Sequence, residues 1–261
     1  MRRVILLTLC LLAATAAFAQ KKGAAAAPAA PAAPAGPGPK SQAEVQAVNA
    51  AIQAQTADDR IKAVDDLITK FPSTDFKSFA LMMEAEAWQT KGDTVKTIVF
   101  GEQALQADPK NFDADNLLAN ALAATTRDTD LDKDDKLTRA EKYAHDSLDV
   151  LNAGVRPFTT PEQTWPKIRA GAQAQAWQAL GMVALVRKKT DEAVADFQKG
   201  VDADASPLLM IRAGRALLLA KKPDEAITWF DKALASPDAT AQAKSIAESD
   251  KARAVQAKGS K

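Results

Sequence analysis

Stacked pairs of α-helices closed by a terminal helix are the architecture to expect of this chain, an all-α solenoid of about five helix pairs. Three observations lead there. Apolar residues make up 47% of the 261 residues but aromatics only 5%, and Ala carries much of the apolar count. That mix favours helices packed closely through small side chains over a β-sandwich, which draws on Val, Ile, Thr and Tyr. A block of sequence recurs at a fixed interval near the C-terminus, the mark of a repeat array. Finally, Gly-Asp, Asp-Pro and Pro-Asp pairs punctuate the apolar stretches where one helix would hand over to the next.

The first segment reads as an address. Arg2 and Arg3 precede an apolar run from Val4 to about Phe18, ending in Ala17, Phe18 and Ala19, so residues 1–19 form a signal peptide cleaved before Gln20. A lipoprotein signal needs a small residue just before its cysteine, whereas Cys10 follows Leu9 inside the run. A soluble export signal is therefore expected, with an uncleaved anchor as the alternative, although the run is short of the ~20 residues that span a bilayer. Cleavage removes Cys10, the one cysteine in the sequence, and leaves no disulfide or thiol chemistry. Residues 20–40 are nearly all Ala, Pro and Gly, too poor in large apolar side chains to form a core. They read as an extended spacer, which at ~3.1 Å per residue reaches roughly 60 Å; a proline-motif ligand is the alternative.

The recurrence is clearest in Lys188-Lys189-Thr190-Asp191-Glu192-Ala193 with Phe197, repeated 33 residues later as Lys221-Lys222-Pro223-Asp224-Glu225-Ala226 with Phe230. Each block starts a second helix with a turn residue and early acids facing the positive helix end. Ala193 and Phe197, like Ala226 and Phe230, then share one face. Ahead of the first block stand Trp177, Leu180 and Gly181. Together these residues resemble the tetratricopeptide pattern W-x2-L-G-x2-Y, A-x3-F, P, with Ala184 in the Tyr place and Pro207 closing the unit slightly late. The next copy keeps Gly214 and has Met210 for the Trp. Gly181, Gly214 and, upstream, Ala85 would let paired helices touch through their backbones.

An earlier copy is visible in Trp88, Gly92-Asp93, Ala104-Leu105, Asp108-Pro109 and Asn111. It departs from the family pattern at Thr97 and Gly101, where Ala and an aromatic are expected. Another runs through Leu118, Ala119 and Leu122, then Ala140, Tyr143 and Leu148, with about nine extra residues between its helices. The first copy spans Val45 to Phe71 and is closed by Pro72-Ser73. The resemblance thus covers the repeat domain, residues 41–237, and implies a right-handed α-solenoid. Residues 238–261 read as a capping helix and polar tail. An irregular helical bundle is the competing architecture; Trp88, Trp177 and Trp229 would be core in both. Trp165, between Thr160-Pro161 and Pro166, either staples a long loop or sits exposed for a partner.

Catalytic residue types are scarce. His145 is the one histidine, and no G-x-S-x-G turn, P-loop or glycine-rich strand-to-helix turn occurs, so no enzyme is expected. Lys plus Arg total 34 against 33 for Asp plus Glu, which speaks against a nucleic-acid surface. One motif stands apart: Asp130 to Glu141 resembles an EF-hand loop, with Asp130, Asp132, Asp134 and Glu141 as calcium ligands and Leu137 packed inward. Asp135 stands where that family needs glycine. The alternative is a solvated loop whose Asp134 or Asp135 caps the next helix.

The tetratricopeptide resemblance also implies a concave face lined by the first helix of each pair. It would carry Met82, Met83 and Glu86, then Asp113, Asn116 and Asn120, then Gln175, Gln178 and Met182, then Ile211, Arg212 and Arg215. Met82 and Met83 read equally well as core filling. The basic clamp that family members use for a peptide C-terminus is not supported, since only asparagines and two arginines stand at those places. Such a groove suits an extended peptide or a protein surface. The expectation is an exported, non-catalytic adaptor of the bacterial periplasm or beyond, touching membrane only during export or through an uncleaved signal; no cofactor is expected, and a calcium-responsive binding protein is the alternative.

Overall fold

The computed structural model describes residues 36–259, so the expected signal peptide and residues 20–35 of the expected linker lie outside the described residues. Within them the chain forms five helix pairs and a final helix. The pairs are α1 (Gln42–Gln53) with α2 (Ala57–Lys70), α3 (Lys77–Lys91) with α4 (Thr94–Ala107), and α5 (Phe112–Thr125) with α6 (Lys133–Asn152). They continue as α7 (Trp165–Val186) with α8 (Thr190–Ala203) and α9 (Pro207–Leu219) with α10 (Pro223–Ala235), followed by α11 (Ala241–Gly259). Each helix packs on its chain neighbour, and α11 closes the stack against α10 and α9. Among the described residues no strand occurs, and no helix is long and apolar enough to cross a membrane.

Local chemistry sets the helix ends. At α1, Ser41 Oγ accepts the Glu44 N–H at 3.1 Å while the Glu44 carboxylate accepts the Lys40 N–H at 2.6 Å, a reciprocal cap. Side chains of Thr56, Asp93 and Asn111 cap α2, α4 and α5, and prolines open α9 and α10. The first helices of three pairs end alike. Gly92 has φ 78°, and Asp93 N–H donates to Trp88 O at 3.0 Å; at the corresponding turns Lys188 and Lys221 have φ 61° and 59°, with Lys189 and Lys222 donating to Ala184 O and Leu217 O, both at 2.9 Å. The left-handed cap expected of Gly92 is therefore repeated at two lysines, residues that tolerate it less well.

The expected close approach is present at both glycines. A Cβ on Gly181 would stand 2.6 Å from Phe197 Cε1, and one on Gly214 2.5 Å from Phe230 Cε1, with both rings fully buried. The departures at Thr97 and Gly101 also find their reason. Leu118 of the following pair reaches into the space an aromatic would have filled, 2.9 Å from where a Gly101 Cβ would be, and the buried Thr97 hydroxyl donates to Asp93 O at 2.8 Å. Trp165, the first residue of α7, proves a staple: its ring lies 5.7 Å from that of Phe112, while Phe158 in the preceding loop meets Phe76 at 5.3 Å. The loop between α6 and α7 is thereby laid back toward the starts of α3 and α5.

Candidate functional site

The third and fourth pairs share an extended contact between first helices that the other pairs make only slightly. Helices α5 and α7 pack directly along one another. Asn116 Nδ2 donates to Ala172 O at 3.0 Å, Asn120 Nδ2 to Gln175 O at 3.1 Å and to Asn116 O at 2.9 Å, and Gln178 Nε2 to Asn120 Oδ1 at 2.8 Å. Three of the amides expected to face a partner thus form a seam between α5 and α7; Asn116 is fully buried, while Asn120 and Gln178 are half-buried.

Other expected groove residues are corrected by burial. Met82 packs among Leu81, Ala85, Ala104, Ala114 and Leu117, and Met83 joins Val64 and Leu67 in the first core cluster. Ile211 is buried as well. These positions belong to first helices as expected, but the stacking of adjacent pairs covers them. Glu86, Asp113 and Gln175 are exposed. Crowding by the surrounding protein, and then the charge of Glu86, raises the pKa of the Asp113 carboxyl.

The remaining residues meet in one place. A half-open pocket of about 240 Å³ is bounded by Asn120, Gln178, Met182 and Arg212, with Gln89 and Gly92 at the end of α3 and Ala124 on α5. The Arg212 guanidinium touches Met182 Sδ at 3.4 Å and forms no ion pair among the described residues. Partial desolvation, and then the like charge of Arg215, lower its pKa, while the side chain stays exposed at the pocket wall and its guanidinium stays charged. Arg215 differs: its Nε donates to Asp250 Oδ2 at 2.5 Å, tying α9 to the capping helix, and Arg253 reaches the other oxygen at 3.2 Å. Sequence reasoning placed Asn120, Gln178, Met182 and Arg212 together and missed Gln89 and Ala124. The left-handed Gly92, which turns the chain away and opens that end of the pocket, was the available signal.

The acidic stretch does not gather its ligands. Helix α6 begins at Lys133, so Asp134 and Glu141 lie on one helix, seven residues and about 10 Å apart along its axis. Asp130 accepts from the Arg127 N–H at 3.1 Å and pairs with Lys136 at 3.2 Å, and Asp132 pairs with the same lysine at 2.8 Å. Glu141 pairs with Arg187 at 2.6 Å. Among the described residues, no three His, Cys, Asp or Glu side chains converge as metal ligands. Asp134 and Asp135 also make no side-chain cap; they sit in the first turn of α6 and offset its dipole. His145 is exposed on the same helix.

No protein-family model matches the sequence, and no curated protein matches it. Solved structures do. The chain is similar to TTC0263, a thermophilic TPR protein in Thermus thermophilus, with 16% identity over 79% of this chain and 98% of that one and a TM-score of 0.60. It is similar also to the MamA protein, with 16% identity over 73% of this chain and 90% of that one and a TM-score of 0.51. At such identities the likeness is one of fold, and the fold is the tetratricopeptide-repeat solenoid that the residues above resemble.

Proposed function

We propose that this chain is an exported, non-catalytic scaffold that holds a protein or peptide partner against the face formed by α3, α5, α7 and α9. One observation carries the reading. Five helices from four successive pairs line a half-open pocket whose only charged wall is an arginine without an ion pair among the described residues. A repeat stack gives such a face a fixed curvature, so contacts spread over several pairs can add without ordering a loop first. The signal-like segment at residues 1–19 supports placing the protein in the bacterial envelope, periplasmic or secreted.

The test is photo-crosslinking in the native envelope. A benzophenone amino acid replaces Gln89 or Ala124, both exposed on the pocket rim, or Val95 and Leu219, exposed large hydrophobics outside it. The rim positions should yield one shared adduct that the outer positions do not. An adduct formed only from Val95 or Leu219 would place the partner elsewhere and overturn the reading.

A further inference from the structure

We infer that the pocket between Gly92 and Arg212 is built for one side-chain carboxylate, a Glu or Asp of the partner inserted between α5 and α9; this rests on the scaffold reading above. The pocket volume argues for a side chain. Dedicated small-molecule sites span about 300–1,000 Å³, and this pocket, at about 240 Å³, is smaller and half open. It has room for one residue of an extended segment.

The donors argue for an anion. Arg212 holds its guanidinium against the thioether of Met182, a weak acceptor that leaves its charge uncompensated. Its neighbour Arg215, three residues on, has its charge met by Asp250, so the two arginines on α9 are not equivalent. A carboxylate reaching Arg212 would meet its permanent guanidinium charge with the counter-charge that the Met182 thioether does not supply. Beside it, Gln178 Nε2 uses one N–H on Asn120 Oδ1 and keeps the second for a ligand. Asn120, by contrast, has both of its N–H groups engaged on Asn116 O and Gln175 O, and so acts as the fixed backing that aims the Gln178 amide. The seam between α5 and α7 thereby does two things: it locks the two helices and it orients the donor next to Arg212. With one available cation, the pocket suits a single carboxylate.

The experiment is an NMR titration of the ¹⁵N-labelled chain with three probes: acetyl-Ala-Ala-Glu-Ala-Ala-amide, its Gln counterpart, and acetyl-Ala-Ala-Ala with a free C-terminal carboxylate. The Glu peptide should shift the Arg212 Nε–H, the Gln178 side-chain amide and the Gly92 amide saturably, with the Gln peptide about tenfold weaker. In Arg212→Gln that preference should vanish, while Arg212→Lys should keep part of it. Equal shifts from the Glu and Gln peptides, a Glu preference surviving in Arg212→Gln, or saturation by the free-carboxylate probe alone would each overturn the assignment. So would the absence of saturable shifts from all three. A crosslink from the rim together with any of these results would leave the scaffold standing and remove only the carboxylate pocket.

Discussion

The sharpest test of the packing is one substitution made at three glycines of this chain. In a helix interior, Gly→Ala ordinarily stabilises by about 0.5–1 kcal/mol, because it removes backbone freedom from the unfolded chain. Gly171, inside α7, should follow that rule: a Cβ there meets nothing nearer than Asp204 Oδ2 at 3.8 Å. Ten residues on along the same helix, a Cβ at Gly181 would lie 2.6 Å from Cε1 and 2.7 Å from Cδ1 of Phe197. Carbon atoms pack at about 3.5–4.0 Å, so the ring or the helix must yield by about 1 Å. Phe197 is fully buried and has nowhere to go, which puts the overpacking cost near the upper part of the ~1–3 kcal/mol range. Subtracting the helix gain leaves Gly181→Ala destabilised by about 1–2 kcal/mol, and Gly214→Ala, against Phe230, should match it. For a domain of this size that is a fall of about 2–8 °C in Tm, against a rise of about 1–4 °C for Gly171→Ala. Calorimetry on the three variants, with Gly181→Ala/Phe197→Leu as the relieved pair, reads the difference. Gly181→Ala melting at or above the parent would refute the close approach.

Four further outcomes are expected. Lys221→Gly should raise stability by about 0.5–1 kcal/mol in denaturant titration, because a left-handed lysine carries about 1–2 kcal/mol of strain that exceeds the entropy glycine adds to the unfolded chain. The buried Glu84 is pushed up to about 7, chiefly by burial and then by Asp65, against the opposing Trp88 N–H and Lys96. The folded protein therefore holds that proton more tightly than the unfolded chain, so its contribution is full below the unfolded value of 4.5 and is lost as pH rises through about 7; Glu84→Gln should flatten the fall in Tm over that window, and an unchanged slope would count against the shift. Calorimetric titration with millimolar calcium should show no saturable heat, since α6 would have to unwind before Asp134 and Glu141 could meet on one ion. Mass spectrometry of the envelope protein should find a chain starting at or near Gln20; recovery of Met1 would refute cleavage.

The helix pairs were legible because their signals are local and redundant. The 33-residue interval, the early acids of α8 and α10, and the Gly92 turn each encode an end or a face, and the observed helices begin and end within a few residues of those marks. Gly101 was harder. Its missing aromatic is replaced by Leu118 from the following pair, a compensation between residues seventeen positions apart that no single repeat contains. Lys188 and Lys221 were opaque for another reason: left-handed backbone is a property of the turn, and a lysine gives no advance sign of adopting it.

The amides show where periodicity stops being informative. Asn116, Asn120 and Gln178 sit on first helices at helical spacing, and a polar stripe on a first helix has the same pattern whether it faces a partner or a neighbouring helix. What separates the two cases is whether the next first helix comes within hydrogen-bonding reach. Between the third and fourth pairs it does, and each buried amide must then find an acceptor or carry its desolvation penalty. Ala172 and Gln175 supply backbone carbonyls on α7 at the required positions, flanked by small residues, Gly171, Ala174 and Ala176, that let the helices close. The contact therefore depends on two stretches more than fifty residues apart agreeing in both size and polarity. Arg212, one pair further along, has no such neighbour across from it, and so it keeps an uncompensated charge at the point where the seam ends and the open pocket begins.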